Sequence, residues 1–485
     1  MLRNTEVNTT EVVENVTDLI AVKKPIFVIR TYYYQNSKSF NESDAVVTLI
    51  NAERHAYETL TFQCNRTLES GSVETSIGSV LDLGVTPYMC KLVVYRLVCL
   101  FPPSDEDLNE FYVGVGSAGG EMEYGELTVS QPNKKPYKFV SCMSRMVAVD
   151  DWAMIIFAME TFRLFGGELA VAPVECAITE VMDLLRLYEK DGILKVQPGF
   201  KPRALTGLSY DPLKETEYAN QMSTSHECLY DFKDTAEFIS FPDWDDIIVI
   251  QNRGQKMMTY YDSFAPFIQS HPNAAAFSVD RVDIFLQTPL KTNDRKFLFE
   301  KYLQETYYGP AYVDPKLVIR PSLIAGNWIH ESKIKEAKEY NQIKVNSIVA
   351  TYAHLHYTLT TSNTSKFVPP YSNWHKNASD FIDSETMDAN FQNMLIRHSF
   401  YFNHTSMPYT RPFYGLIGGC YVKVIKDFQA KGITYCPTPT SCKYDPQKIK
   451  VVKIKSRYNK PFIAGPFIWH ERRSTTFVTD NKGCL

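Results

Sequence analysis

Apolar and polar residues follow two different patterns along the chain. Between residues 25 and 130, short apolar runs rich in Val, Ile, Tyr and Phe alternate with polar turns. This composition is typical of β-strands. From about residue 136, strand-like runs alternate with segments in which apolar residues recur every three or four positions. The pattern therefore predicts a β-rich N-terminal region (25–130) followed by an α/β domain.

The α/β part begins with a predicted strand at 137–142. Asp150 is a candidate N-cap for the helix that follows. Two further strands, at 168–174 and 193–197, flank a second helix at 177–190. Strands and helices that alternate at this spacing predict a Rossmann-type domain with a mostly parallel sheet and right-handed crossovers. Ligands of such sheets bind beyond the carboxyl ends of the strands.

Three carboxylates follow an apolar run at 236–241. They are Asp243, Asp245 and Asp246. In an extended backbone, Asp243 and Asp245 project to the same side, where two like charges repel. A divalent cation such as Mg²⁺ or Mn²⁺ would offset the repulsion, and it could also stabilise a diphosphate leaving group. A pair of turn-capping aspartates is the alternative interpretation.

Charge and length narrow the class of protein. The chain has 485 residues, with 51 Lys and Arg against 55 Asp and Glu. This balance argues against a general nucleic-acid binder, which usually carries a basic excess. No apolar run reaches the roughly 18 residues that predict a membrane span. The first twenty residues are polar and acidic, so they predict neither a signal peptide nor an anchor, and residues 1–24 are interpreted as a flexible stem.

Cysteine and asparagine motifs nevertheless favour a lumenal or extracellular location. The ten Cys include no C-x-x-C pair. A disulfide among Cys64, Cys90 and Cys99 is plausible, and residues 435–442 look like a disulfide-closed loop. Cys420, Cys436, Cys442 and Cys484 favour disulfides over zinc, because their spacing matches no familiar zinc site. Seven N-x-S/T acceptor motifs occur, at Asn8, Asn15, Asn41, Asn65, Asn363, Asn377 and Asn403.

Several blocks of the sequence, in order, resemble glycosyltransferase family 92, a family expanded in nematodes. The similar blocks are residues 27–34, 140–145 with Trp152, 188–192, 227–229 before 243–246, 316–321 with His330, and 356–357. The resemblance covers about residues 25–357, and it implies a GT-A-like domain at 136–357. It fades beyond that point, so residues 358–485 are interpreted as a C-terminal extension.

The resemblance implies an inverting, metal-dependent transfer of a sugar, with galactose expected, from a UDP-sugar to a glycan acceptor. It also implies Mn²⁺ or Mg²⁺ as the ion and a Golgi membrane protein. Asp243 and Asp245 would hold the metal and the diphosphate, and His330 would be a third metal ligand or, alternatively, a surface histidine. The sequence departs from the family in lacking a visible N-terminal anchor, and in Trp244 and Asp246, where an aliphatic residue and Glu are usual.

An inverting transfer needs a base for the proton of the acceptor hydroxyl. Asp280, Asp283 and Glu331 are candidates, although no motif singles one out and each could be a structural or solvated carboxylate. Arg145 follows the first strand, where it could contact the nucleotide or be an ordinary surface arginine. The unassigned base and the missing anchor leave open a second hypothesis, a catalytically inactive glycan-binding or scaffold protein that retains the fold.

Overall fold

The computed structural model describes residues 23–55, 57–84, 87–117, 119–250, 258–286, 297–303, 306–357, 375–376, 382–409, 411–442 and 449–484. The stem predicted at residues 1–24 lies outside these ranges except for Lys23 and Lys24. Four of the predicted glycosylation motifs also lie outside them, at Asn8, Asn15, Asn363 and Asn377.

The N-terminal part of the chain forms an antiparallel sheet. Its strands are β1 (Lys24–Ser37), β2 (Ser43–Glu53), β3 (Leu60–Leu68), β4 (Val73–Asp82), β5 (Leu92–Phe101), β6 (Leu108–Ser117) and β7 (Glu123–Glu126). They pair in the order β1-β2-β5-β4-β3-β6-β7. Burial alternates along β3, as expected of a strand with one face on a core. Among the buried residues is Arg66, whose guanidinium lies 2.6 Å from the carboxylate of buried Asp44.

The central part combines strands and helices. Its first half contains β8 (Tyr137–Cys142), α1 (Trp152–Leu164), β9 (Leu169–Val174), β10 (Cys176–Ile178), α2 (Thr179–Lys190), β11 (Leu194–Pro198), α3 (Gln221–Asp231), β12 (Ala236–Ser240) and β13 (Asp246–Ile250). Its second half contains α4 (Tyr260–Ser270), β14 (Ala274–Leu286), α5 (Phe299–Leu303), β15 (Tyr307–Ile319), β16 (Ile324–Gly326), β17 (Ile334–Lys335), β18 (Asn341–Lys344), β19 (Ala350–Tyr357) and β20 (His375–Lys376).

The α/β class is confirmed, but the prediction of a mostly parallel sheet is not, because the central sheet is mixed. Strands β11, β9, β8 and β12 are parallel neighbours, and their carboxyl ends share one edge. Beyond β12 the direction changes: β15 is antiparallel to both β12 and β14, β19 is parallel to β14, and β13 is antiparallel to β19. A continuous apolar run identifies a buried strand without giving its direction, so the sequence pattern could not show this change.

Helix α1 begins at a different residue from the one predicted. The side chain of Asp151, and not that of Asp150, caps the helix by accepting a hydrogen bond from the backbone N–H of Met154 at 3.1 Å. Asp150 instead accepts one from the backbone N–H of Phe413 at 2.7 Å. Two adjacent aspartates are equivalent as capping residues in a sequence, and the tertiary contact to Phe413 distinguishes them.

The C-terminal part of the chain extends the N-terminal sheet. It contains α6 (Ser384–Arg397), α7 (Gly419–Gln429), β21 (Val451–Tyr458), β22 (Phe462–Ala464) and β23 (Phe467–Asp480). Strand β23 pairs in parallel with β1, and β21 pairs with both β23 and β10. The two ends of the chain are therefore joined in one sheet, while the predicted domain boundaries stay predictions. Among the described residues, no helix is both long enough and apolar enough to cross a membrane.

All ten cysteines form disulfides, which confirms the preference for disulfides over zinc. The pairs are Cys64–Cys99, Cys90–Cys436, Cys142–Cys228, Cys176–Cys484 and Cys420–Cys442. The disulfide predicted in the N-terminal region is Cys64–Cys99. The predicted closed loop at 435–442 is wrong, because its two cysteines pair with Cys90 and Cys420. Spacing alone does not determine which cysteines pair.

The Cys142–Cys228 disulfide links β8 to α3 across a separation of 86 residues, whereas Cys420–Cys442 spans 22. Replacing both members of the first pair with Ser should lower the free energy of unfolding by about 2–4 kcal/mol, and by about 1 kcal/mol more than the same change in the second pair. Thermal and urea denaturation of the two double variants measure this. Equal losses would show that the length of the closed loop does not determine how much each disulfide stabilises the protein.

Candidate functional site

Three aspartates lie on a turn at the carboxyl edge of the parallel strands. The turn connects β12 to β13, and the backbone N–H of Asp246 donates to the carbonyl of Asp243 at 3.0 Å. The exposed fractions of the side chains are 33% for Asp243, 43% for Asp245 and 1% for Asp246. The extended segment assumed from the sequence is thus a turn. It holds two half-exposed carboxylates and one buried carboxylate close together.

A buried lysine balances part of this negative charge. The side chain of Lys316, on β15, is fully buried, and its Nζ lies 2.7 Å from Oδ2 of Asp243 and 3.1 Å from Oδ2 of Asp246. Burial alone would raise the pKa of the Asp243 carboxyl, but the Lys316 ammonium outweighs it and holds that pKa well below its usual range. Burial alone would lower the pKa of Lys316, but the two carboxylates raise it above its usual value. The lysine is therefore charged and paired.

A histidine on β19 faces the remaining carboxylate. In the strand register, His354 lies opposite Asp246 on the neighbouring strand β13 and opposite Asp283 on the neighbouring strand β14. The imidazole Nε2 lies 3.6 Å from Oδ2 of Asp245, and Nδ1 lies 2.9 Å from Oδ1 of Asp283. Burial opposes protonation, but Asp245 and Asp283 outweigh it and raise the pKa of His354 to about 9. His356, two residues further along, lies 3.1 Å from the same oxygen of Asp283.

These side chains form two groups with the composition of a metal site. Donor atoms of Asp245, Asp246 and His354 lie within 4.8 Å of one another, as do those of Asp283, His354 and His356. Neither carboxylate oxygen of Asp246 accepts a hydrogen bond from the described residues, although Lys316 and Arg281 are ion-pair partners. Carboxylate oxygens and a neutral imidazole nitrogen are all ligands that divalent metal ions accept. The first group therefore fits a divalent cation.

The residues predicted as metal ligands are only partly brought together. Asp245 belongs to the first group, whereas Asp243 and His330 belong to neither group found among the described residues. His330 lies close enough to Asp243 to contribute to the lowered pKa of that carboxyl, and its Nδ1 lies 2.9 Å from the carbonyl of Pro315. Burial, together with Lys316, lowers the pKa of His330. The metal roles of Asp243 and His330 stay predictions.

Arg145 lies at the same edge, after β8. Its Nη1 donates to Oε1 of Gln221 at 2.6 Å, and Nη2 donates to the hydroxyl of Tyr421 at 3.4 Å. Its positive charge also contributes to the lowered pKa of Asp243. The guanidinium is thus held near the acidic turn, and its predicted contact with a nucleotide stays a prediction.

The three candidate bases occupy different surroundings. Asp283 lies in the histidine group described above, where burial is outweighed by His354 and His356 and the pKa of the carboxyl is held well below its usual range. Asp280 instead pairs with Lys344 at 2.9 Å, and Glu331 pairs with Lys333 at 2.9 Å in an exposed ion pair. Of the three, Asp283 alone belongs to the metal-like groups found in the described part of the chain.

Sequence reasoning did not assign a role to Lys316, Arg281 or His354. Two of them, Lys316 and His354, are marked by a signal in the sequence. Lys316 is a cation at the start of the apolar run 316–319, and His354 alternates with His356 along one face of a strand. Neither signal identifies the partner, an aspartate seventy or more residues away. The order of the strands in the sheet determines which of these residues meet.

Comparison with known families identifies the class of protein. The model of glycosyltransferase family 92 matches residues 137–398, which is more than half of the chain. The chain therefore belongs to glycosyltransferase family 92, and the resemblance drawn from the sequence blocks is confirmed. Membership supports glycosyltransferase activity, with a sugar donor and a glycan acceptor as substrates.

The chain is similar to several proteins of Caenorhabditis elegans. It is 26% identical to glycosyltransferase family 92 protein F59C6.8, with 96% of this chain and 90% of the relative covered. It is 22% identical to glycosyltransferase family 92 protein F13G3.3, covering 86% and 82% of the two chains. For glycosyltransferase family 92 protein C33H5.2 the identity is 21%, covering 94% and 90%. The likeness thus extends well beyond the residues that the family model matches.

Replacing Lys316 with Met should destabilise the protein by about 3–5 kcal/mol, because buried Asp246 would lose its nearest ammonium. Lys344→Met is the matched control. It removes a lysine whose side chain is 69% exposed and which pairs with Asp280, so the expected loss is about 0–1 kcal/mol. Urea denaturation of both variants in EDTA measures the difference. Similar losses would mean that Lys316 does not stabilise the acidic turn.

Proposed function

We propose that this protein transfers a sugar from a nucleotide-sugar donor to a glycan hydroxyl, with a divalent cation bound at the acidic turn. The observation that carries the proposal is the close grouping of Asp245, Asp246 and His354 at the carboxyl edge of four parallel strands. Ligands of α/β sheets bind at this edge. Arg145, after β8, and Asp243, after β12, border the same space. We further propose that this half of the sheet is a nucleotide-binding unit of the GT-A type.

Asp245, Asp246 and His354 would hold the cation, with Mn²⁺ the expected ion and Mg²⁺ the alternative. When bound, the cation supplies positive charge that stabilises the diphosphate leaving group. His354 must lose its proton to act as a ligand, because metals bind neutral imidazole. Arg145 would contact the phosphates or the nucleotide, and Lys316 would keep Asp243 ionised next to them.

The proposed reaction is a single displacement that inverts the anomeric carbon. The acceptor hydroxyl oxygen bonds to that carbon as the carbon–oxygen bond to the diphosphate breaks, and the hydroxyl proton passes to a carboxylate. We propose Asp283 for this role, since it lies beside the metal group on β14, whereas Asp280 and Glu331 pair with lysines and belong to neither metal-like group of the described residues. The resemblance makes UDP-galactose the expected donor.

A location in the Golgi lumen is part of the same proposal. Five disulfides support it, because such bonds persist in oxidising compartments. The glycosylation motif at Asn41 lies at an exposed position, which suits modification in the same pathway.

A catalytically inactive glycan-binding or scaffold protein remains the second candidate. The observation that favours it is Lys316, whose ammonium lies 2.7 Å from Asp243 and 3.1 Å from Asp246 and offsets part of the charge that a cation would otherwise balance. Turnover separates the two candidates. Release of UDP or transfer of sugar above background, over a panel of donors and acceptors, would exclude the inactive protein.

Asp245→Asn should abolish the Mn²⁺-dependent part of UDP-sugar binding, because a neutral amide is a poor ligand for a hard cation. Removing a group that only supports a metal ligand typically lowers metal affinity by about 10–100-fold. Because Asp245 is proposed as a ligand itself, the Mn²⁺-dependent affinity for the UDP-sugar should fall by at least that factor. Calorimetry with and without Mn²⁺ measures it. Asp480→Asn, which changes a carboxylate on β23, should bind like the wild type. Equal Mn²⁺ dependence in both variants would remove Asp245 from the site.

Asp283→Asn should lower kcat by about 10²–10⁴-fold, the usual contribution of a positioned acid–base group. Because Asp283 also pairs with His354 at 2.9 Å, Mn²⁺-dependent donor binding should weaken by no more than about 10–100-fold. Asp280→Asn is the matched control on the same strand and should keep its activity. Steady-state kinetics with the best donor and acceptor pair measure kcat, and calorimetry measures donor affinity. A fully active Asp283→Asn enzyme would refute the assignment.

A further inference from the structure

A cavity lies between the N-terminal sheet and the parallel strands of the central sheet, apart from the acidic turn. It has a volume of about 250 Å³ and receives side chains from four elements of the fold. Arg30 comes from β1, Gln197 from β11, Glu227 from α3, and residues 472–474 from β23. We call it the interlayer cavity. It opens to solvent at Arg473 and Ser474, which are both exposed.

The interlayer cavity is separate from the acidic turn. Gln197 lies near the end of β11, and β9 and β8 stand between that strand and β12. Because neighbouring strands lie about 4.8 Å apart, the ends of β11 and β12 are separated by about 14 Å. A ligand in the cavity would therefore not depend on a cation held by Asp245.

Two buried acceptors in the cavity lack partners. Gln197 is 6% exposed and Glu227 is 1% exposed. Oε1 of Gln197 and Oε2 of Glu227 accept no hydrogen bond from any described residue. Leaving a buried polar atom unpaired is unfavourable by about 1–3 kcal/mol, so native structures rarely do so without a reason. Both oxygens are closed off from solvent in the wall of the cavity, so a ligand that donates hydrogen bonds would supply the missing partners once these side chains turn toward it.

Arginines beside these acceptors supply donors. Oε1 of Glu227 lies 3.5 Å from Nη1 of Arg30 and 3.3 Å from Nη2 of Arg472. Arg472 also donates from Nη1 to the carbonyl of Gly199 at 3.1 Å, which fixes its guanidinium against the β11 loop. Each guanidinium has five N–H groups, more than these contacts use. The cavity thus presents fixed acceptors and fixed donors within a small volume.

We propose that the interlayer cavity binds one sugar ring of a glycan. A hydroxyl group both donates and accepts hydrogen bonds, so neighbouring sugar hydroxyls can donate to Gln197 and Glu227 and accept from the arginines. A phosphate or sulfate has only acceptors and would face the Glu227 carboxylate and the Gln197 carbonyl unpaired. The charged lining consists of Arg30, Arg472 and Arg473 against Glu227 and Glu471, so its net positive charge disfavours an ammonium ligand. The volume lies just below the roughly 300–1,000 Å³ usual for drug-sized ligands, which suits a single ring.

The test uses the full chain in EDTA without nucleotide, so that only metal-independent binding is measured. Methyl glycosides of glucose, galactose, mannose, fucose and N-acetylglucosamine are the probes, with saturation-transfer NMR to detect contact and calorimetry for affinity. At least one glycoside should bind with a dissociation constant on the order of 1 mM, which is typical of a few hydrogen bonds from a small ligand.

Gln197→Met removes one acceptor while keeping the side-chain length. It should weaken glycoside binding by about three- to tenfold, the value of one hydrogen bond, yet leave the melting temperature unchanged or higher. Gln63→Met is the control, because Gln63 pairs with the hydroxyl of Tyr124 on the N-terminal sheet and should not affect binding. Ser474→Leu places apolar volume at the exposed mouth and should block binding, whereas Asp245→Asn should bind normally.

Three results would overturn the proposal. The first is that no glycoside in the panel binds, which would make this a water-filled cavity. The second is glycoside binding that neither Gln197→Met nor Ser474→Leu weakens. The third is that inorganic phosphate binds more tightly than every glycoside and that Ser474→Leu abolishes this phosphate binding. That result would identify an anion site.

Discussion

The ion pairs of Lys316 with Asp243 and Asp246 are the constraint on which the rest of the site depends. Three carboxylates within a four-residue turn repel one another, and one of them is almost wholly buried. A fully buried ammonium 2.7 Å and 3.1 Å from two of them supplies the nearest compensation. The third, Asp245, faces His354 instead. Side chains of the protein itself therefore balance much of the charge of the turn, which still presents carboxylate oxygens toward the edge of the sheet.

The mixed central sheet brings the acidic turn and its partners together. The parallel strands β11, β9, β8 and β12 supply the edge where Arg145 and Asp243 lie. The strands beyond β12 supply the partners, with Lys316 on β15, Arg281 and Asp283 on β14, and His354 on β19. The backbone register places His354 between Asp246 on one neighbouring strand and Asp283 on the other. The positions of these three side chains are therefore set by strand pairing and not by loop conformation.

Local features of the fold could be predicted from the sequence, and long-range ones could not. The acidic turn was found because its aspartates interrupt two apolar strands that the residue pattern identifies directly. The lysine and histidine that balance them are separated from the turn by seventy residues or more, and nothing in a single sequence reports strand order across that distance. The cysteines show the same limit. Their number and motif context predicted disulfides, but Cys436 pairs with Cys90 across 346 residues. Strand β23 beside β1 was unpredictable for the same reason.

The central claim is that the acidic turn and His354 together bind a divalent cation that holds the donor diphosphate. Pulsed electron paramagnetic resonance of the protein with Mn²⁺ and UDP tests it most directly, since an imidazole ligand imprints a nitrogen coupling on the manganese signal. We predict one such coupling in the wild type and its loss in His354→Ala. A Mn²⁺–UDP complex with no nitrogen coupling, or a coupling that survives in His354→Ala, would contradict the account.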